Sequence, residues 1–435
     1  MDHLLMKTVI MAGGKGTRIA ELAPGIPKPM IPVHGKPILE YQLDCLIQAG
    51  LRDILVVVGH LGEVIRAYFD KSPYKKYLHY YAESEPLGTA GALFNFLDEL
   101  GDSFFLINGD IIFDVDFSRI IAAHRGKNAL ATLVSHPNNH PYDSALLVTD
   151  GEGRVVQWIN KEDDRLYYHN RVNTGIHLFE KELWTAAQKN ISHKKVDLDR
   201  DILKPLLPTR RIFAYDTPEY IKDMGTPGRY TQIEGDIETG RVAARNMKNK
   251  QRAVFLDRDG TINELTGFVT QPEDFTLIPG AAEAIKRINN SGYLAVVITN
   301  QPVIARGECS LTELDAIHQK MESELGKEGA YIDGLFYCPH HPDKGFPGER
   351  PEYKTDCACR KPKPGMILSA AEKYHIDLAA SWMVGDDARD IGAGRAAGCR
   401  TALITAGSGV PSENAEAPPD VTVTSLIEFA GKYIP

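Results

Sequence analysis

Two aspartates one residue apart, Asp257 and Asp259, stand directly after the apolar run AVFL and before Gly260-Thr261. At the end of a strand, residues i and i+2 share a face, so both carboxylates can address one reaction centre. One can attack phosphorus as a nucleophile. The other can protonate a leaving oxygen and later activate water. A turn with two solvated aspartates would be written the same way, so the pair needs company. Three further groups follow in order: Thr299-Asn300-Gln301 ends the run LAVVIT, Arg360-Lys361-Pro362 precedes a helical stretch, and Gly385-Asp386-Asp387 ends SWMV.

Cysteines add a second kind of chemistry. Cys338-Pro339-His340 and Cys357-Ala358-Cys359 offer three thiolates and an imidazole, the closed tetrahedral set of structural Zn²⁺. Buried free cysteines are the bland alternative, and His341 is an alternative fourth ligand. Arg360 and Lys361 follow the last thiol at once, so a metal-ordered loop would set their direction. Cys45, Cys309 and Cys399 lack such neighbours and read as packing residues.

The first half carries a glycine turn. Gly13, Gly14 and Gly16 follow KTVIMA and precede Thr17 and Arg18. Glycines let backbone N–H groups approach a polyphosphate, and Lys15, Arg18 and Lys28 (stiffened between Pro27 and Pro29) add charge. Glycines alone would fit a plain strand-to-helix turn. Each lone aspartate of this half, Asp110 and Asp223 among them, would likewise fit a strand-end turn.

These groups need rigid carriers. Short apolar runs such as ILVVV and LAVVIT alternate with helical stretches, which predicts α/β layers with mainly parallel sheets. Ligands of such sheets sit at the carboxyl ends of the strands, where the polar loops lie. The plan occurs twice, so we expect domains at 6–236 and 252–435 joined by a linker at 237–251. The 435 residues are 43% hydrophobic and 25% charged, an ordinary globular balance, and the formal charge of −9 argues against nucleic-acid or anionic-membrane partners. No run is long enough to span a bilayer and no signal peptide is legible, so a cytoplasmic location is expected. A homo-oligomer is compatible with all of this.

The combination GGKGTR with PKPM resembles the signature of sugar-1-phosphate nucleotidylyltransferases, and the motif order continues to about residue 235. The resemblance implies a Rossmann-like sheet in which Glu85, Gly88 and Thr89 contact base and ribose. It implies Mg²⁺ on Asp110 and Asp223, a substrate contact from Lys161, a sugar-binding turn at Asn173, and pyrophosphate held by Arg18 and Lys28. The family often has Glu-Lys where this chain has Asn160-Lys161. DRDGT, TNQ, RKP and GDD together resemble the haloacid dehalogenase superfamily, whose sheet is also Rossmannoid. That likeness makes Asp257 the nucleophile and Asp259 the acid/base. Thr299 and Lys361 then steady the phosphoryl group, and Asn300, Gln301 and Arg360 contact substrate. Mg²⁺ falls to Asp257, the carbonyl of Asp259 and Asp386.

With CPHH and CACRKPKPGM the second half resembles heptose 1,7-bisphosphate 7-phosphatases, and more distantly histidinol-phosphatases. Leu265-Thr266-Gly267-Phe268 is then the expected substrate-facing loop. Together the halves imply a bifunctional enzyme that makes a nucleotide-activated heptose from sugar phosphate and nucleoside triphosphate, with GTP as the nucleotide. The alternatives are a hexose nucleotidylyltransferase joined to a phosphatase of other specificity, and a regulatory protein on two degenerate catalytic folds.

Overall fold

The computed structural model describes residues 6–14, 24–265, 267–405 and 418–435. Lys15, Gly16, Thr17 and Arg18 of the glycine turn and Thr266 of the second half lie outside the described residues. The chain divides into two compact units. One takes residues up to 136, 147–159 and 173–246; the other takes 137–146, 160–172 and 247–435.

In the first unit β1 (Lys7–Met11) lies between β2 (Asp53–Val58) and β4 (Ser103–Asn108), and β3 (Leu78–Ala82) adds outside β2; these four are parallel. On the far side of β4 the long strand β5 (Val172–Glu180) runs antiparallel. They belong to a sheet of nine strands among the described residues. Consecutive strand residues point to opposite faces, yet Ile54, Val56 and Val57 of β2 are all fully buried. The sheet is therefore covered on both sides, which is why its strands read as continuous apolar runs. A separate two-stranded ladder pairs Ile111–Asp114 with Tyr220–Asp223. It brings the turn after Asn108 beside Asp223, and the N–H of Met224 donates to the Asp110 carbonyl at 3.0 Å.

The second unit holds a six-stranded, all-parallel sheet: β6 (Arg252–Leu256), β7 (Tyr293–Asn300), β8 (Gly334–Cys338), β9 (Trp382–Gly385), β10 (Arg400–Ile404) and β11 (Val421–Val423). Their spatial order is β8-β7-β6-β9-β10-β11. The order reverses between β6 and β9, the topological switch point where such sheets open a crevice at their carboxyl ends. Alternate residues of β6 feed two cores: Val254 and Leu256 on one face, Ala253 and Phe255 on the other. Helix α1 (Leu311–Lys327) packs Leu314, Ile317, Met321 and Leu325 into the first core. This i, i+3, i+4 spacing is the apolar stripe of an amphipathic helix. Helix α2 (Ala388–Ala397) begins directly after β9. No described helix is long and apolar enough to cross a membrane.

Candidate active sites

In the second unit the ends of β6, β7 and β9 meet around one ammonium group. Lys361, 2% exposed, places Nζ 2.7 Å from Oδ1 of Asp257 and 2.6 Å from Oδ1 of Asp390, and donates to the Ile298 carbonyl at 2.8 Å. Asn300 grips the lysine's backbone on both sides: its Nδ2 donates to the Lys361 carbonyl at 3.1 Å, and its Oδ1 accepts from the Lys361 N–H at 3.0 Å. Thr299 is buried and its hydroxyl accepts from Nε2 of Gln301 at 2.8 Å. Arg360 donates to the His340 carbonyl at 3.2 Å, which ties the cysteine loop to this site.

Oxygens of Asp257, Asp386 and Asp390 lie within 4.8 Å of one another. Burial first, then the nearby Asp390 carboxylate, pushes Asp257 up to about 7; burial and Asp257 push Asp386 up to about 7. Asp390 is raised as well, chiefly by burial and against the pull of Lys361. One ammonium cannot balance three carboxylates, so the cluster is short of positive charge. Its donor set is all oxygen, the preference of a hard divalent cation. Gly260 has φ +81°, and a Cβ there would strike the Asp386 carboxylate.

Asp259 faces elsewhere. Arg258, Asn263 and Gln301 donate to its oxygens at 2.8–3.1 Å. Burial raises its pKa, but Arg258 and these donors outweigh that and hold it below the usual carboxylate value. Asp387 N-caps α2, accepting from Arg389 N at 2.8 Å, and Asp390 completes the capping box. Asp390 escaped the sequence reading. Its signal was the Asp-x-x-Asp spacing at a helix start, which aims an N3 carboxylate back towards the strand end.

Cys338, Cys357 and Cys359 have sulfurs 3.1–3.4 Å apart, and Nδ1 of His340 lies 3.7 Å from Cys338 and 3.5 Å from Cys359. These four form a group that could hold a metal ion. His341 is outside it and accepts from Asp343 N at 3.2 Å, so His340 is the imidazole of the cluster. Burial and the Cys359 thiol push Cys338 far up, so the crowded thiols resist joint ionisation unless a cation is present. In the expected substrate loop Leu265 and Phe268 are exposed, with the Arg306 guanidinium 4.5 Å from the Phe268 ring centroid.

In the first unit a cavity of about 1020 Å³ opens at the carboxyl ends of β1, β2, β3 and β4. Gly13, Gly14, Lys28, Glu85, Gly88, Thr89 and Asp110 line it. Gly88 has φ +86° and presses on the Val196 carbonyl, so no side chain fits there. Lys28 Nζ donates to Oδ2 of Asp110 at 2.6 Å. Glu85 is exposed and pairs with Lys194 at 2.9 Å, while the Thr89 hydroxyl accepts from Leu198 N at 2.8 Å. Asp223 and Asn173 do not line the cavity. Both Asp223 oxygens accept from Arg229 Nη1, at 3.1 and 2.8 Å, and Asn173 Oδ1 lies 3.1 Å from Nε2 of His177. Lys161 lies in the 160–172 segment of the other unit, exposed and 3.6 Å from Glu162. The cavity also holds His60, Glu83 and Lys195, which the motifs did not single out. Burial raises Glu83 although Leu87 N donates to it at 3.3 Å, and its Oε2 lies 2.6 Å from where a Gly13 Cβ would stand.

The nucleotidyl transferase family matches residues 7–240 and a HAD-hydrolase-like family matches residues 358–429. The D-glycero-beta-D-manno-heptose-1,7-bisphosphate 7-phosphatase of Vibrio cholerae is 43% identical over 174 residues, 40% of this chain and 91% of that protein. Among solved structures, HddC from Yersinia pseudotuberculosis is 25% identical with TM-score 0.46, covering 54% of this chain and 100% of that one. The D,D-heptose 1,7-bisphosphate phosphatase from B. bronchiseptica, complexed with magnesium and phosphate, is 35% identical with TM-score 0.35, covering 42% and 97%. The chain belongs to the nucleotidyl transferase family through its first half and to the HAD-like heptose-bisphosphate phosphatases through its second, and it is an enzyme that joins a nucleotidyltransferase to a phosphoric monoester hydrolase.

Proposed function

We propose that the chain removes the 7-phosphate of D-glycero-D-manno-heptose 1,7-bisphosphate and transfers a guanylyl group from GTP to the resulting heptose 1-phosphate, with the join between its two catalytic domains in 237–251. The observation that carries the reading is the pairing itself: the relatives of the second half are named for releasing a phosphate that leaves the anomeric phosphate in place, and the first half belongs to a family of nucleotidyl transferases.

In the hydrolase half, Asp257 attacks the 7-phosphorus as the bond to the sugar oxygen breaks, and Asp259, ionised in the free site, passes to that oxygen a proton taken up as the substrate phosphate enters. Water then attacks the phosphorus of the aspartyl phosphate, gives its proton to Asp259, and the bond to Asp257 breaks to release phosphate. Lys361 sits 2.7 Å from the nucleophile and stays charged, since burial opposes its charge but Asp257 and Asp390 more than offset that. Asp257, Asp386 and the carbonyl of Asp259, joined by Asp390, would hold Mg²⁺. When bound, that ion removes the repulsion between a carboxylate and a dianionic phosphate. Cys338, His340, Cys357 and Cys359 would hold a structural Zn²⁺ that fixes the direction of Arg360 and Lys361.

In the transferase half, the sugar phosphate oxygen attacks the α-phosphorus and pyrophosphate leaves, so positioning and charge supply most of the catalysis. Lys28 and Arg18 hold the departing pyrophosphate, and Glu85 and Thr89 face the nucleoside; the sugar contacts expected of Asn173 and Lys161 have no place in the cavity lining. Asp110 and Asp223 would hold Mg²⁺ only by giving up Lys28 and Arg229, their partners here.

Glu83 supports guanine. A half-buried carboxylate in the cavity wall accepts two hydrogen bonds side by side, and of the four common bases only guanine offers two adjacent donors on its pairing edge. Glu83→Gln puts a donor against those donors. It should lower kcat/KM for GTP roughly 5- to 150-fold, the worth of ~1–3 kcal/mol for a bidentate base contact. The assay for the whole proposal supplies both anomers of the heptose bisphosphate and each of four nucleoside triphosphates. One phosphate and one pyrophosphate per nucleotide sugar, with GTP preferred, is the expected result. Turnover confined to hexose phosphates or to another base would overturn the heptose or the guanine assignment respectively.

A further inference from the structure

Between the two aspartates of the phosphatase turn lies Arg258, a guanidinium with no exposed surface. A charge this deep must have its donors met, and each partner here is specific. Nε and Nη2 reach Oδ1 of Asp259 at 3.1 and 2.8 Å, and Nη2 reaches Oδ2 at 2.9 Å. Nη2 also lies 3.2 Å from Oε1 of Gln301. On the opposite side, Nη1 lies 3.3 Å from Nε2 of His318, a residue of α1 that is 2% exposed. Burial, followed by the charge of Arg258, holds His318 well below its ordinary pKa, so the ring is neutral and Nε2 accepts. Gln301 closes the frame by donating from Nε2 to Asp259 Oδ2 and to the Thr299 hydroxyl, both at 2.8 Å.

We propose that Arg258, braced from behind by His318, is the positioning residue that fixes the carboxylate plane of Asp259 for its proton transfers in the phosphatase. The inference rests on the reading of Asp259 as acid/base. The fork can do this because its donors span both oxygens in one plane while a third donor anchors it to a helix. A lysine ammonium at the same place could not span them. Released from the fork, the carboxylate could turn its accepting oxygen away from the water that must lose its proton. Small misplacements of a catalytic group cost on the order of 100-fold in rate.

The experiment measures phosphate release by the full chain from heptose 1,7-bisphosphate and from 4-nitrophenyl phosphate, with the thermal unfolding midpoint of each variant recorded. Arg258→Lys and His318→Leu should each lower kcat at least tenfold with KM within twofold. His318→Gln, which restores an acceptor, should recover most of that loss. A folded His318→Leu or Arg258→Lys enzyme with kcat within twofold of the parent would overturn the brace. So would a His318→Gln enzyme as slow as His318→Leu, because a merely structural role does not distinguish them. If His318→Leu fails to fold, Arg258→Lys and His318→Gln decide alone. Asp259→Asn separates the two levels: phosphate release that survives it removes the acid/base reading, whereas its loss beside fully active Arg258 and His318 variants removes only the brace.

Discussion

Asp257 is held in a neighbourhood that opposes its own charge. Burial and Asp390 push its pKa up to about 7, and Lys361 is shared with Asp390 instead of being dedicated to it. Sites that concentrate like charge are functional at a cost in stability. Asp257→Asn should therefore abolish phosphate release, leave nucleotidyl transfer intact, and match or exceed the parent's unfolding midpoint in metal-free buffer. Added Mg²⁺ should raise the parent's midpoint more than the variant's. A variant that unfolds earlier than the parent without metal would contradict this account of the cluster. Gly260 tests the same geometry from the backbone side. Its φ of +81° strains any other residue by ~1–2 kcal/mol, and a Cβ would press on the Asp386 carboxylate. Gly260→Ala should lower phosphate release at least 100-fold, the order set by misplacing a reacting group, while nucleotidyl transfer serves as the internal control.

At the scale of elements, helix α1 does two jobs on successive turns. His318 meets Arg258, while Asp315, Glu322 and Ser323 hold the 168–171 stretch. Glu322 is 2% exposed and receives Nδ1 of His169 at 2.7 Å, Asn170 N at 3.0 Å and Arg171 Nη1 at 3.1 Å; Asp315 lies 2.9 Å from the other His169 nitrogen. Burial works against the imidazolium, but Glu322 and Asp315 prevail and raise His169 from 6.5 to about 9. A pKa raised on folding gives stability that is complete below the unfolded value and lost as pH climbs through the folded one. The stability gap between the parent and His169→Gln, read from urea unfolding, should thus be widest below pH 6.5 and close between there and pH 9. A gap that is flat with pH would show that His169 is neutral in the folded chain. The cysteine loop makes a second element-scale prediction. If the cysteine cluster holds a metal ion as proposed, chelator treatment that strips it, assayed with Mg²⁺ restored, should halt phosphate release and spare nucleotidyl transfer, because Arg360 bonds the His340 carbonyl and the next residue is Lys361.

Across the whole molecule, legibility follows the range of the contacts involved. Strands such as β2 and β6 were plain in the sequence because burial on both faces writes continuous apolar runs. Asp257, Lys361 and Asp386 could be singled out from the sequence because each stands at or just beyond a strand end or a loop motif. Asp390 and Glu83 could not, since one hides in the first turn of a helix and the other in the polar string AESEPLG, where a half-buried Glu83 and an exposed Glu85 look alike. The membership of 137–146 and 160–172 in the second unit leaves no local trace at all, because periodicity reports nothing about pairs more than a hundred residues apart. Those segments cover α1: Tyr168 N donates to Ser323 Oγ at 2.9 Å, and Pro141 Cγ lies 2.8 Å from where a Gly326 Cβ would stand. A fragment of residues 247–435 lacks them, so it should unfold at a lower urea concentration than the same unit in the full chain. Glu322→Ala makes the comparison specific. In the full chain it strips His169 and Arg171 of a buried counter-charge and should cost about 3–5 kcal/mol. In the fragment Glu322 has neither partner and faces water, so the same substitution should stay within about 0.5 kcal/mol, as surface changes do. The difference between the two contexts measures the coupling of the segments to α1, and equal effects in both would mean that the segments contribute nothing through Glu322.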